Sequence, residues 1–194
     1  GAIARHLAPL GWNFVLTSRE SARCEPLARG LRSQGATVLT EALDLQDEDG
    51  TEALAARIAS KGVTVTHLVS NARSLDTLKL DEDGLAPAKH FLDEFYIDVV
   101  APYRMLMGFV RDPRHKLHGV VTIGSQYGEV APNPALYGGD LRSSPVQYGV
   151  AKAALHHMTR ELSVRLAPDV RVNAVAPGQV ATPWTANWPQ ARKQ

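Results

Sequence analysis

The sequence predicts a single α/β domain built on a parallel sheet, and three observations carry that expectation. Short β-branched runs alternate with longer helical patterns, the signature of strand–helix–strand units. Several of those runs are continuously apolar, as strands buried on both faces require. The 194 residues contain no internal repeat, low-complexity tract or linker-like shift of composition, so one domain over 1–194 is expected.

Strands are expected at Phe14 to Thr17, Ala36 to Leu43, Thr64 to Val69, Gly119 to Ile123 and Val170 to Val175. Helical patterns lie near 2–10, 20–34, 48–61, 87–111 and 145–167, with Asp44 placed to cap the third. The last helix is the best specified. Ser144 and Gln147 have the spacing of a capping box, Pro145 sits at the first helical position, and Pro168 follows the end. Along it Val146, Val150, Ala154, Leu155, Met158, Leu162 and Leu166 recur at helical spacing, an apolar stripe for the sheet or for another subunit.

Composition narrows the function. With 44% hydrophobic and 21% charged residues and a formal net charge of +1, the chain has material for a core and no long basic run to attract nucleic acid or an anionic membrane. Small-molecule partners fit better. Cys24 is the single cysteine, which excludes an internal disulfide and suits a reducing compartment, so the cytoplasm is expected. No apolar stretch approaches the roughly 20 residues of a spanning helix, and the opening segment lacks the layout of a secretory signal. His115, His118, His156 and His157 have no accompanying carboxylate or cysteine framework, so they are expected to be solvent-exposed and no metal is predicted. Gly124-Ser125-Gln126-Tyr127-Gly128 places its serine one position too early for a nucleophile elbow, which argues against a hydrolase.

Tyr148 and Lys152 stand four residues apart in the first turns of the last helix, so both side chains project from one face. A free phenol has a pKa near 10, and an adjacent ammonium favours the phenolate by Coulomb attraction; each unit of lowering represents about 1.4 kcal/mol. Such a pair can pass a proton, although on spacing alone it also describes an ordinary solvated helix face. Ser125 is equally open: a serine at a strand end often bonds local backbone.

The order of segments is more informative. Leu68-Val69-Ser70-Asn71-Ala72-Arg73, Ile123-Gly124-Ser125, Tyr148 with Lys152, and Arg171-Val172-Asn173-Ala174-Val175-Ala176-Pro177-Gly178 with Thr182 together resemble the short-chain dehydrogenase/reductase family along almost the whole chain. The resemblance implies a Rossmann-like, doubly wound parallel sheet in a three-layer α/β/α arrangement. It also implies an oxidoreductase that interconverts a carbonyl and a secondary alcohol by hydride transfer. In that scheme Ser125 binds the substrate oxygen, Tyr148 passes the proton, and Lys152 holds the nicotinamide ribose. Asp98 occupies the place of the family's fourth catalytic residue, usually Asn. The cofactor would touch Ser18, Arg19, Asp44, Leu45, Asn71, Ala72, Tyr148, Lys152, Pro177, Gly178, Val180 and Thr182.

Cofactor choice hangs on Thr17-Ser18-Arg19. An acidic residue there would bind the 2′-hydroxyl of NAD, whereas Arg19 suits the 2′-phosphate of NADP, so NADP(H) is expected over NAD(H). Two departures from the family pattern bear on mechanism. Pro102 has no N–H to offer the carbonyl of Asp98, four residues back, so the family's carbonyl-held water would survive the change of side chain. Arg73 replaces a glycine. A long segment, Pro132-Asn133-Pro134-Ala135-Leu136-Tyr137-Gly138-Gly139, separates Ser125 from Tyr148 and is expected to border the substrate site; a similar insertion in sugar-related reductases makes a sugar-like substrate compatible. The family's glycine-rich turn with its strand, and the C-terminal lid with its last strand, are not found in the chain, so truncation at both ends is expected. A dehydrogenase-like scaffold subunit without cofactor binding is the alternative. Family members pair through the helices that here span 87–111 and 145–167, which implies a homo-oligomer, dimer or tetramer.

Overall fold

The computed structural model of the chain describes residues 1–180. Five parallel strands and six α-helices alternate along it: α1 (Ala2–Leu7), β1 (Phe14–Ser18), α2 (Glu25–Arg32), β2 (Val38–Ala42), α3 (Glu48–Ser60), β3 (His67–Ser70), α4 (Ala88–Phe95), α5 (Ala101–Arg111), β4 (Gly119–Ile123), α6 (Val146–Arg165) and β5 (Arg171–Val175). Every expected strand and helical region is present. The α3 cap differs from expectation: Asp47, not Asp44, accepts the N–H of Gly50, while Asp44 turns its carboxylate to the N–H of Gln46.

The strands form two parallel ladders. In one, β1 pairs with β2 from Phe14↔Val38 to Ser18↔Ala42. In the other, β4 lies between β3 and β5, with His67↔Gly119 and Gly119↔Arg171 in register. Among the described residues no strand joins β1 to β3, the two strands between which the family's first strand was expected. At the entrance to both, the rings of Trp12 and His67 meet edge to face with centroids 4.8 Å apart.

Side-chain alternation along β1 sends Val15 to one face and Phe14 and Leu16 to the other, so helices must cover both. Phe14 and Leu16 pack on a small core of Ala4, Ala8, Ala28, Leu31, Ala36 and Val38 under α1 and α2. Val15, Leu39 and Leu68 pack on the main core, built from Leu54, Ala55 and Ile58 of α3, Met105, Leu106 and Phe109 of α5, Val120, Leu162 and Val172. One core therefore bridges the two ladders although no hydrogen-bonded strand does. In α6 the apolar stripe divides: Leu155 and Leu162 are buried, whereas Val146 and Val150 are exposed.

Two local features were misread from sequence. The helix over 87–111 is broken by a π turn, Tyr96–Val100, in which Ala101 N–H bonds the carbonyl of Tyr96, five residues back. The missing N–H of Pro102 removes the normal bond at this place, and the widened turn accommodates the loss. The capping box is not formed either. Pro145 is the N-cap, without a side-chain cap bond, and Gln147 points inward, where its Nε2 donates to the Thr77 carbonyl at 3.0 Å. A buried amide gains more from a buried carbonyl than from a cap already open to water.

The closest helix approach sets a testable constraint. A Cβ placed on Gly108 of α5 would stand 2.9 Å from the Glu52 carbonyl oxygen of α3, a backbone atom that cannot swing aside. Gly108→Ala should lower the melting temperature despite alanine's better helix propensity, because overpacking of about 1–3 kcal/mol exceeds a propensity gain of at most about 1 kcal/mol. A higher melting temperature would mean that the two helices separate freely.

Candidate active site

Ser125 follows β4, and Tyr148 and Lys152 lie in the first two turns of α6, which packs on β5 and on the Gln126–Gly128 turn that follows β4. The Lys152 ammonium donates to the Ile123 carbonyl at 3.1 Å, tying the helix to the strand terminus that carries Ser125. Lys152 Nζ lies 5.7 Å from the centre of the Tyr148 ring, and the Arg73 guanidinium, from the segment after β3, lies 5.4 Å from it. Ser125 is buried in extended backbone, and its Oγ accepts the N–H of Tyr127 at 3.2 Å. That bond is the local turn role, and it leaves the hydroxyl proton for another acceptor.

The remaining predicted residues sit at the carboxyl ends of the strands, where open parallel sheets bind their ligands. Ser18 ends β1 and donates its hydroxyl to the Glu20 carbonyl; Arg19 is exposed beside it. After β2, Asp44 is exposed and Leu45 packs partly on the main core. Asn71 and Ala72 follow β3, both exposed. After β5 the chain runs alongside the Ser125 segment: Gly124 N–H donates to the Val175 carbonyl at 2.8 Å and Gln126 N–H to the Pro177 carbonyl at 3.0 Å. This places Pro177 and Gly178 on the rim with Ser125, and Val180 just beyond. Thr182 lies outside the described residues.

Beside the cluster is a cavity of about 640 Å³. Its wall takes Leu80, Leu85, Pro132, Leu141, Val146 and Gly149, with Arg142 among the charged groups, and it includes neither Ser125 nor Tyr148. Of the long segment between Ser125 and Tyr148, Pro132 borders this space.

The family model of the short chain dehydrogenases matches residues 1–193. This chain belongs to the short-chain dehydrogenase/reductase family. A cis-4-hydroxycyclohexanecarboxylate dehydrogenase of Sinomonas cyclohexanicum is 32% identical over 193 residues, which cover 97% of this chain and 71% of the relative. A galactitol 2-dehydrogenase of Rhizobium johnstonii is 29% identical, over 96% of this chain and 74% of its own. Among solved structures, NAD+-bound xylitol dehydrogenase superposes with a TM-score of 0.78 at 19% identity, covering 95% of this chain and 67% of that one. The RhlG/NADP complex of Pseudomonas aeruginosa gives 0.77 at 24% identity, covering 97% and 72%. At such identities the structures establish the fold, here a Rossmann-like arrangement of parallel strands flanked by helices. The sequence relatives place this short-chain dehydrogenase among the oxidoreductases.

Asp98 stands where the family resemblance sets an Asn, within the π turn Tyr96–Val100. The π turn carries Asp98 inward to 2% exposure, and its Oδ2 lies 2.9 Å from Lys152 Nζ, itself in a residue only 5% exposed. The side chain, not the backbone carbonyl alone, thus faces the lysine. A buried ion pair contributes little net stability, but removing one partner strands the other and costs about 3–5 kcal/mol. Behind it sits Glu94, 1% exposed and accepting the hydroxyl of Thr77. Burial raises the Glu94 carboxyl above its ordinary range; the Thr77 bond opposes this, the Asp98 charge adds to it, and Lys152 and Arg73 oppose it.

Sequence reading missed Glu94, Gln147 and His156. His156 and His115 are buried rather than exposed, the latter bonding the Val65 N–H and the Ala55 carbonyl. A signal existed for His156: Tyr148, Lys152 and His156 form one i, i+4, i+8 row.

Glu94 gives a pH test. A carboxyl whose folded pKa is raised stabilises the fold while protonated and loses that contribution as pH rises through the raised value. Glu94→Gln stays neutral throughout, so the melting temperature of the variant minus that of the parent should grow between about pH 4 and pH 8. A difference that is flat or shrinks across that range contradicts the assignment.

Proposed function

We propose that this dehydrogenase is an NADP(H)-dependent enzyme that interconverts a carbonyl compound and a secondary alcohol, with Tyr148 as the proton-transfer group. One observation carries the reading: Lys152 binds the carbonyl that precedes the Ser125 segment while facing the ring of Tyr148 one helical turn away. Bound NADP(H) would supply the hydride donor or acceptor. Ser125 Oγ holds the substrate oxygen. In reduction the Tyr148 O–H gives its proton to that oxygen; in oxidation the phenolate removes it. Two cations, Lys152 and Arg73, stand 5.7 and 5.4 Å from the centre of the Tyr148 ring. Asp98 Oδ2, 2.9 Å from Lys152 Nζ, holds Lys152 in place by direct ion pairing.

The residues present suit the two ends of the cofactor. Ser18 and the exposed Arg19 fit a ribose 2′-phosphate, with Asp44, Leu45, Asn71 and Ala72 on the adenosine side of the rim. Tyr148, Lys152, Pro177, Gly178 and Val180 surround the nicotinamide end, with Thr182 added by family resemblance. Arg19 favours NADP over NAD because it pairs with a dianion. A second reading, a scaffold subunit, gains support only if the folded chain binds neither NADPH nor NADH.

The apolar cavity wall supports an alicyclic or otherwise largely apolar alcohol over the sugar-like substrate compatible with the sequence. Exposed Leu92, Phe95, Tyr103 and Val164 on α4, α5 and α6 support self-association through those helices. Among the described residues no helix is long and apolar enough to cross a membrane, and a buried free Cys24 suits the cytoplasm.

Tyr148→Phe should lower kcat about 10²-fold or more while NADPH affinity, read by nicotinamide fluorescence, stays within about twofold; retained turnover removes the assignment. Arg19→Asp should weaken NADPH binding far more than NADH binding, and equal losses would refute the 2′-phosphate role.

A further inference from the structure

His156 stands two turns beyond Tyr148 on α6, 4% exposed, and its ring fills the bend of the Ser125 segment. A Cβ on Gly124 would lie 1.9 Å from Nε2, and one on Gly128 would lie 2.8 Å from Cε1, so both positions admit only glycine while the ring is there. The Ser125 N–H donates to His156 Nε2 at 3.3 Å. Nε2 therefore carries the lone pair, and the hydrogen-bond network puts the proton on Nδ1. From there it is donated to Glu129 Oε1 at 2.7 Å, and Arg160 Nη2 donates to the same oxygen at 3.0 Å. The His156 bond is the largest influence holding the Glu129 carboxyl below its usual range, which keeps it an acceptor.

We propose that His156 is a positioning residue for the reaction: as the neutral Nδ1–H tautomer, oriented by Glu129, it accepts the Ser125 N–H and fixes the backbone from which Ser125 Oγ reaches the substrate. This extension rests on the role proposed for Ser125. The chain of contacts runs Arg160, Glu129, His156, Ser125, so the catalytic serine is oriented from α6, the helix that also carries Tyr148 and Lys152. A rigid link between strand end and helix keeps the groups that must meet one substrate oxygen at fixed separation. The bond geometry restricts substitution. Leu fills the space but accepts nothing, Asn stops short of the Nε2 position, and Gln places a carbonyl oxygen near it.

Ser125 amide hydrogen exchange and the imidazole nitrogen shifts of His156 test the link without any turnover. The parent should show protonated Nδ1 and unprotonated Nε2. Exchange at Ser125 should be at least about tenfold faster in His156→Leu, with His156→Gln close to the parent, at matched global stability. Equal exchange in all three proteins, or the opposite tautomer, overturns the proposal. In turnover, His156→Leu should lower kcat about tenfold with NADPH affinity unchanged, and should add nothing in a Ser125→Ala background. A further full loss in that background would make His156 act elsewhere and overturn its action through Ser125. Ser125→Ala with undiminished turnover would instead remove the serine's role, while the exchange result still decides whether His156 holds the loop. If His156→Leu fails to fold, Glu129→Ala reads the same link, because losing the Nδ1 acceptor should speed Ser125 exchange by a similar factor; unchanged exchange there counts against the proposal.

Discussion

A lysine ammonium buried to 5% exposure has lost most of its hydration, and a protein can keep it charged only by surrounding it with compensating groups. For Lys152 those groups come from separate parts of the chain: the Asp98 carboxylate from the π turn before α5, and the Ile123 carbonyl from the end of β4. The charge therefore acts as a fastener among strand, helix and turn. It also explains why the π turn matters. Without the widening before Pro102, Asp98 would not be turned so far inward, and the ammonium would keep only a neutral carbonyl as its partner. Structure and chemistry share this group, since the ion that holds α6 to β4 is also a cation facing Tyr148.

The sheet supports the site in a lopsided way. On the β4 and β5 side the strand-end segments are hydrogen-bonded to each other and to α6, so Ser125, Pro177 and the Tyr148 turn form one connected rim. On the β1 and β2 side, Ser18, Arg19 and Asp44 belong to a separate ladder, coupled to the other through side-chain packing on the main core. The proposed substrate end of the site is thus the more firmly held of the two. Motion between the ladders would be felt first by a ligand that spans both, as a dinucleotide does.

Much of this was legible in the sequence, for reasons that differ by element. Strands buried on both faces must be continuously apolar, so β4 stood out with its observed ends, and the parallel sheet followed from the alternation of strands with helices. Tyr148 and Lys152 were readable because a helix fixes the i, i+4 relation locally. What escaped notice depends on distant partners. Gln147 serves a carbonyl 70 residues away instead of its own helix cap. Asp98 was weighed by its backbone against Pro102, whereas its side chain's partner, Lys152, lies 54 positions on. His156 was taken for a surface residue because nothing local announced that Gly124 and Gly128 would close around its ring. Nothing in the strand spans announced that one core would be shared by the two ladders.

The central claim is that this rim couples proton transfer by Tyr148 to hydride transfer from a bound nicotinamide. The most direct measurement supplies the folded chain with NADPH carrying deuterium at both C4 positions and a ketone that the chain turns over in a carbonyl screen, then locates the label in the product by mass spectrometry and NMR. The mechanism predicts one deuterium on the carbinol carbon and a solvent-derived proton on its oxygen. Unlabelled alcohol, or no alcohol from protein that demonstrably binds both NADPH and the ketone, would contradict it.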